Sequence, residues 1–312
     1  MLKKILSIII SAMLFISVFA GCSSQNEDNG RLTVVATIFT PYDFVRQIVG
    51  DKADVFLLIP PGVESHSYEP TPSDIIRIEE ADLFFFVSEH TETWVTQITS
   101  SLKNEKVETV CIADGIGVEV HGHDHSSHHS HDHSEECETD EHIWTNLGYA
   151  AEMVDFISGK IIEKDPENKE FYLKNAEKYK NDILNLKSDF EKMISFSKRD
   201  EIVSGSRFAM KNFTNEFGIH FTAAFDSCVD NTEPSAAVMA KIIDKINDEN
   251  IPVIFYEELI DPKIARAVSL ETGAKMLLLH SCHNVSSDEL KRGETYLSLM
   301  RQNYNNLKEA LN

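Results

Sequence analysis

Positive charge is scarce in this chain: 29 Lys and Arg stand against 51 Asp and Glu in 312 residues, a formal net charge of -22. Such a surface repels phosphate backbones, which excludes nucleic acid as a partner, and it draws cations. Long apolar runs are equally scarce. After residues 5–20 no second stretch is long enough to cross a bilayer, so any transport duty requires handing cargo to a separate membrane partner. There is no HExxH helix and no nucleophile elbow, which removes the familiar sequence signatures of zinc peptidases and serine hydrolases. No short-period internal repeat marks a solenoid.

The one apolar run lies where an export signal would. Lys3 and Lys4 precede residues 5–20, interrupted only by Ser7, Ser11 and Ser17, and Phe19-Ala20-Gly21-Cys22 follows. This pattern predicts a signal peptide, residues 1–21, with a lipoprotein cleavage site and Cys22 as the lipidated first residue of the mature chain. Residues 22–30 lack apolar character after the cysteine and read as a solvated tether. Loss of residues 1–21 removes only Lys3 and Lys4 and shifts the net charge from -22 to -24. With 42% hydrophobic and 26% charged residues, the remainder is globular rather than disordered. The expected location is extracytoplasmic, anchored by lipid to the outer face of a bacterial cell membrane.

Apolar periodicity then alternates between two and 3.6. Strands are expected at 32–37, 55–59, 82–87 and 107–112, with helices at 42–48, 72–79 (capped by Thr71) and 93–102 between and after them. A helix at 150–162 leads to the most regular segment, in which Tyr172, Ala176, Tyr179, Ile183, Leu186, Phe190 and Met193 follow a four-three spacing. The alternation restarts with strands at 201–204, 219–224, 253–256 and 275–279 and helices at 208–217, 235–248, 262–272 and 294–310. This predicts an α/β protein of two lobes, each a mainly parallel sheet flanked by helices, joined by one long helix. The boundaries are 31–165 for the N-terminal lobe, including a histidine-rich loop at 119–141, then 166–197 for the linking helix and 198–312 for the C-terminal lobe. Ligands in open parallel sheets bind at the carboxyl ends of strands, so a cleft between the lobes is the expected site.

Histidine is the residue in excess. His121, His123, His125, His128, His129, His131 and His133 crowd into HGHDHSSHHSHDH, a density that points to accessory binding of zinc, copper or nickel. Sharper candidates stand alone at element ends: His66 in PPGVESHSYEPTPSD, His142 in DEHIW, and His280 and His283 in LLLHSCHNV. His90 and His220 have no such context. The acid beside His66 is read as surface charge. Beyond Cys22, the cysteines are Cys111, Cys137, Cys228 and Cys282, an even number in an oxidising location. The expected disulfides are Cys111–Cys137 and Cys228–Cys282, with thiolate ligation by Cys282 as the competing use.

These motifs resemble those of the metal-binding lipoproteins of bacterial zinc and manganese ABC transporters, over the whole mature chain. PPGVESHSYEPTPSD with ADLFFFV resembles the family's first ligand segment, and the histidine-rich loop ending in DEHIW its second. RFAMKNFTNEFGI, TEPSA, VIFYEE and ETGAKMLLL resemble its second-lobe landmarks. The resemblance implies a divalent ion held between two rigidly linked lobes for delivery to an ABC permease and its ATPase, by a protein expected to be monomeric. It implies His66, His142 and His280 as ligands, with His283, Glu257 or Glu258 for a further position. It also exposes a departure: Arg207 stands where the family has a third ligand, and a guanidinium cannot ligate. Arg207 is therefore expected to be engaged by an acid, with Asp226, Glu257 and Glu258 as candidates. Three imidazoles favour Zn2+ over Mn2+, which prefers oxygen donors. The rival readings are a zinc-dependent extracellular hydrolase, with Glu257 or Glu258 as base, and a metal-buffering or adhesin lipoprotein without a transport role.

Overall fold

Two parallel four-stranded sheets carry the chain's eight described strands. A computed structural model describes residues 30–65, 68–102, 104, 106–120, 140–225 and 234–312. His66, the seven histidines of the 121–133 tract, Cys22, Cys137, Cys228 and Asp226 lie outside the described residues. The first sheet has the order β2-β1-β3-β4, with β1 Leu32–Ala36, β2 Ala53–Leu57, β3 Leu83–Phe86 and β4 Glu108–Cys111. The second has the order β6-β5-β7-β8, with β5 Glu201–Ser204, β6 His220–Ala223, β7 Val253–Tyr256 and β8 Lys275–Leu278. Every recorded pairing is parallel.

The strands read as unbroken apolar runs because both faces of each sheet are covered. On β1 and β3, Val34, Ala36, Leu83 and Phe85 enter the main core. The intervening Val35, Phe84 and Phe86 enter a smaller one with Ile78 of α2 (Pro72–Glu79) and Val95 and Ile98 of α3 (Val95–Ser101). The second sheet repeats this division. Ile202, Val253 and Phe255 join the main core. Val203 and Ile254 pack with Ile242 and Ile246 of α8 (Ala236–Glu249) and Ala265 and Val268 of α9 (Lys263–Thr272).

One core thus runs through both sheets, and helices sew it together. These are α1 (Phe39–Val49), α5 (Leu147–Lys164), α6 (Lys169–Ser195) and α11 (Tyr296–Leu311). The buried residues of the 27-residue α6 are the seven that the four-three spacing selects. Leu32–Asn312 form one compact unit, while Met1–Arg31 separate as another, of which Gly30 and Arg31 are described. Among the described residues no helix is long and apolar enough to cross a membrane.

The elements differ from expectation mainly at their ends, where caps decide. Thr71 caps α2 in a reciprocal box with Asp74, as its sequence position suggests. Two short helices, α4 (Ile112–Gly115) and α10 (Ser287–Arg292), have too few turns to generate a readable period. α7 (Lys211–Phe217) ends on left-handed Gly218.

Candidate metal centre

His142 leads into a 3-10 turn, Ile143–Thr145, that drives Trp144 into the core with no exposed surface. Just ahead of it, Asp140 Oδ1 accepts from the His142 amide at 3.0 Å and meets Nδ1 at 2.6 Å. A histidine bound to a carboxylate through one nitrogen has its tautomer and ring plane fixed, and ligates through the other. Burial opposes charge on His142, yet the Asp140 charge and hydrogen bond, with Glu141 and Glu257 adding, lift the imidazole to about 9. Burial alone would likewise push the Asp140 carboxyl up, but His142 carries it down to about 2.

The loop after β8 supplies the facing group. Cys282 adopts a φ of 61°, a left-handed conformation uncommon for a side chain other than glycine, and the chain turns sharply between His280 and His283. His283 N donates to Ser281 Oγ at 3.2 Å, and its carbonyl accepts from Phe39 N at the start of α1 at 3.1 Å. The ring packs 5.0 Å from Trp144 and 5.2 Å from His142, nearly perpendicular to the latter at 82°. Two imidazoles on one tetrahedral zinc, with each ring centre ~3.2 Å from the ion, stand about 5 Å apart, so this pair has zinc-like spacing.

His280 is placed otherwise. It is wholly buried, and its Nδ1 accepts the Cys282 amide at 2.9 Å. That bond needs a lone pair on Nδ1, so the ring proton belongs on Nε2, which lies 3.8 Å from Glu289 Oε1. Glu289, held first by His280 and then by Ser286, is drawn down to about 2. Asn303 brackets the His280 backbone on both sides, at 2.8 Å each. The structure therefore brings His142 and His283 together, while the His280 ring is engaged at Nδ1 by the Cys282 amide and its buried Nε2 makes no hydrogen bond.

The acids divide by task. Glu258 accepts from the Ser281 amide at 2.9 Å and from its hydroxyl, which fixes the His280–His283 loop. Glu257 is pushed up to about 8, by burial first and then by the Glu258 charge, against the pull of Arg207 and His142. Arg207 Nε stands 3.9 Å from Glu257 Oε2, as expected of that candidate, while its Nη2 stands 3.8 Å from Glu64 Oε1. Glu64 was not singled out in the sequence, and its place two residues before His66 was the available signal. Asp140, two residues before His142, was also overlooked, and its signal is an acid flanking a candidate ligand.

Contacts between the lobes converge here. Trp144 Nε1 donates to Ser281 O at 2.8 Å, Asn212 Nδ2 to Asp140 O at 2.8 Å, and Asn284 Nδ2 to the carbonyls of Pro60 and Val63. Among the described residues no three His, Cys, Asp or Glu side chains already form a metal cage. A closed site therefore needs a contribution from outside them, where His66 lies, or a rearrangement. Cys111 and Cys282 are free thiols, and their expected disulfide partners fall outside the described residues. Burial pushes the Cys282 thiol up, which disfavours a thiolate ligand.

Known proteins resemble this chain in sequence and in fold. The family model of the zinc-uptake complex component A, periplasmic (ZnuA), matches residues 34–310. The high-affinity zinc uptake system protein ZnuA of Bacillus subtilis is 34% identical over 317 residues, which cover 100% of this chain and 99% of that protein. The zinc-binding lipoprotein AdcA of Streptococcus pneumoniae is 30% identical over 99% of this chain, which spans 61% of that longer protein. Among solved structures, the metal-dependent lipoprotein YcdH of Bacillus subtilis superposes with a TM-score of 0.75 at 33% identity, covering 90% of this chain and 99% of its own. The Zn(II)-bound ZnuA-like domain of Streptococcus pneumoniae AdcA gives 0.73 at 28% identity, covering 90% and 99%.

Proposed function

Because this chain belongs to the ZnuA family of periplasmic zinc-uptake components, we propose that it captures Zn2+ between its two lobes and delivers the ion to an ABC permease and its ATPase. The observation that carries this reading is the His142–His283 pair at zinc-like spacing, with His142 locked by Asp140. His66, from the first-lobe segment, is the proposed third ligand. His280, implied beside it, would have to move its ring proton to Nδ1 and give up the Cys282 amide to ligate through Nε2, so we rank it behind His283. Glu257 faces Arg207, so we leave it out of the proposed ligand set. The histidines of the 121–133 tract are proposed as an accessory collector of loosely held ions.

In this reading residues 31–165 and 198–312 are the lobes and 166–197 the rigid link. Lipidated Cys22 tethers the mature monomer to the outer face of the membrane. The role is that of a receptor rather than a hydrolase: Glu258 is spent on Ser281 and Glu257 faces Arg207, so neither is poised as a base on metal-bound water. Relatives named for zinc uptake and for zinc binding support Zn2+ over Mn2+ as cargo.

The test is a zinc titration of the purified mature protein together with growth of a deletion strain in zinc-depleted medium. One tight ion per chain and growth rescued by added zinc are expected. Tight zinc binding without any growth defect would favour the buffering or adhesin reading instead.

A further inference from the structure

We infer that Arg207 determines which metals this cleft accepts, by holding between its guanidinium nitrogens two carboxylates that would otherwise offer oxygen ligands to a hard cation. The inference rests on the metal-capture reading and specifies its selectivity.

Arg207 follows directly from the carboxyl end of β5. Gly205 makes the approach possible: a Cβ there would stand 2.7 Å from the Ala265 Cα, so only glycine lets β5 run this close to α9. The arginine side chain is 14% exposed. It reaches the first lobe at Glu64 (3.8 Å) and the second at Glu257 (3.9 Å). Both are ion-pair separations longer than a hydrogen bond, so the cation is poised between the carboxylates rather than fastened to either. Glu64, Ser65, Arg207, Glu257 and His283 line one cavity, which places this triad beside one proposed zinc ligand, His283.

The consequence follows from ligand preference. Manganese, calcium and magnesium seek carboxylate oxygen, whereas zinc is content with imidazole. An ion that needs Glu64 and Glu257 must displace a guanidinium that cannot be neutralised by losing a proton. One satisfied by His142 and His283 need not. Arg207 therefore penalises hard cations more than zinc, and it joins the lobes electrostatically before any ion arrives.

The experiment measures Mn2+ binding, by the electron paramagnetic resonance signal of the free ion, and Zn2+ binding, by chelator competition, on the whole mature protein. Its histidine tract is present in every variant, so that background is common to all. Arg207→Gln should tighten Mn2+ by about tenfold or more, with a smaller change for Zn2+, because the freed Glu64 and Glu257 offer the oxygen that Mn2+ prefers and that imidazole-held Zn2+ needs less. Arg207→Lys, which keeps the charge, should stay near the parent. Adding Glu64→Gln and Glu257→Gln to Arg207→Gln should abolish the gain.

An unmoved Mn2+ to Zn2+ ratio in Arg207→Gln, or a gain that survives in the triple variant, overturns the inference. Should Arg207→Gln not fold, Glu64→Gln with Glu257→Gln in the parent decides the matter. The parent's weak Mn2+ binding should be unchanged, and a further loss would show that the carboxylates were already open to the ion. Failure of the parent to bind zinc would defeat the metal-capture reading, and is scored apart from the manganese ratio.

Discussion

Asp140 grips His142 twice, through the backbone amide at 3.0 Å and through the ring at 2.6 Å, and both residues are almost wholly buried. Asn212 of the second lobe in turn holds the Asp140 carbonyl at 2.8 Å. Asp140 is therefore a positioning residue for the proposed zinc ligand, tied to both lobes. Asp140→Ala should lower zinc affinity by about 10–100-fold while far-ultraviolet circular dichroism stays near that of the parent. Undiminished affinity would mean that the ring is held in place by Trp144 packing alone.

The same pair sets a pH dependence. His142 is lifted to about 9 from an ordinary value near 6.5, so the metal-free protein carries a proton there at neutral pH and an arriving ion must expel it. Apparent zinc affinity should rise by about tenfold per pH unit between 6.5 and 9 if one proton is displaced, a higher window than unperturbed histidine would give. Stability of the metal-free form runs the opposite way. The contribution of a raised histidine is complete below 6.5 and is lost as pH climbs through 9, by up to about 3 kcal/mol. Thermal unfolding of metal-free protein across that range checks the sign, and a melting temperature that increases with pH would contradict it.

Removal of residues 119–138 tests the histidine tract. Imidazoles on a polar, low-complexity segment lose chain entropy when they gather round an ion, so each ion held there should be weak. The shortened protein should keep one tight zinc and lose the weaker ones in a titration followed to saturation. Identical stoichiometry with and without the segment would show that the tract does not bind under those conditions.

Much of the fold is legible in the chain because both-face burial writes itself as apolar runs and one-face burial as a four-three stripe; α6 is the clearest case. Helix α10 escaped because six residues give no period, although Ser286 and Glu289 form its capping box in plain view. At the site, the resemblance implied His280 as a ligand and His283 only for a further position, although both follow the same apolar strand. They are separated only by the backbone turn at Cys282 and the packing of His283 on Trp144. Glu257 was foreseen as a partner of Arg207, whereas Glu64 was not, because pairing across lobes leaves no local trace.

The choice between those two histidines can be made directly. His283 stands 5.2 Å from His142 with Ser281 and Phe39 fixing its backbone, so His283→Ala should remove one ligand and cost zinc affinity by about 100-fold or more, with little loss of stability. His280 is packed among Glu258, Cys282, Glu289 and Asn303. His280→Ala leaves Glu258 and the Cys282 amide buried without their imidazole partner and should cost about 3 kcal/mol of stability, seen as a lower urea midpoint, while the folded fraction still binds zinc. The reverse outcome, a stable His280→Ala protein that has lost its tight site beside a His283→Ala protein that keeps it, would return His280 to the ligand set and make His283 a packing residue against Trp144.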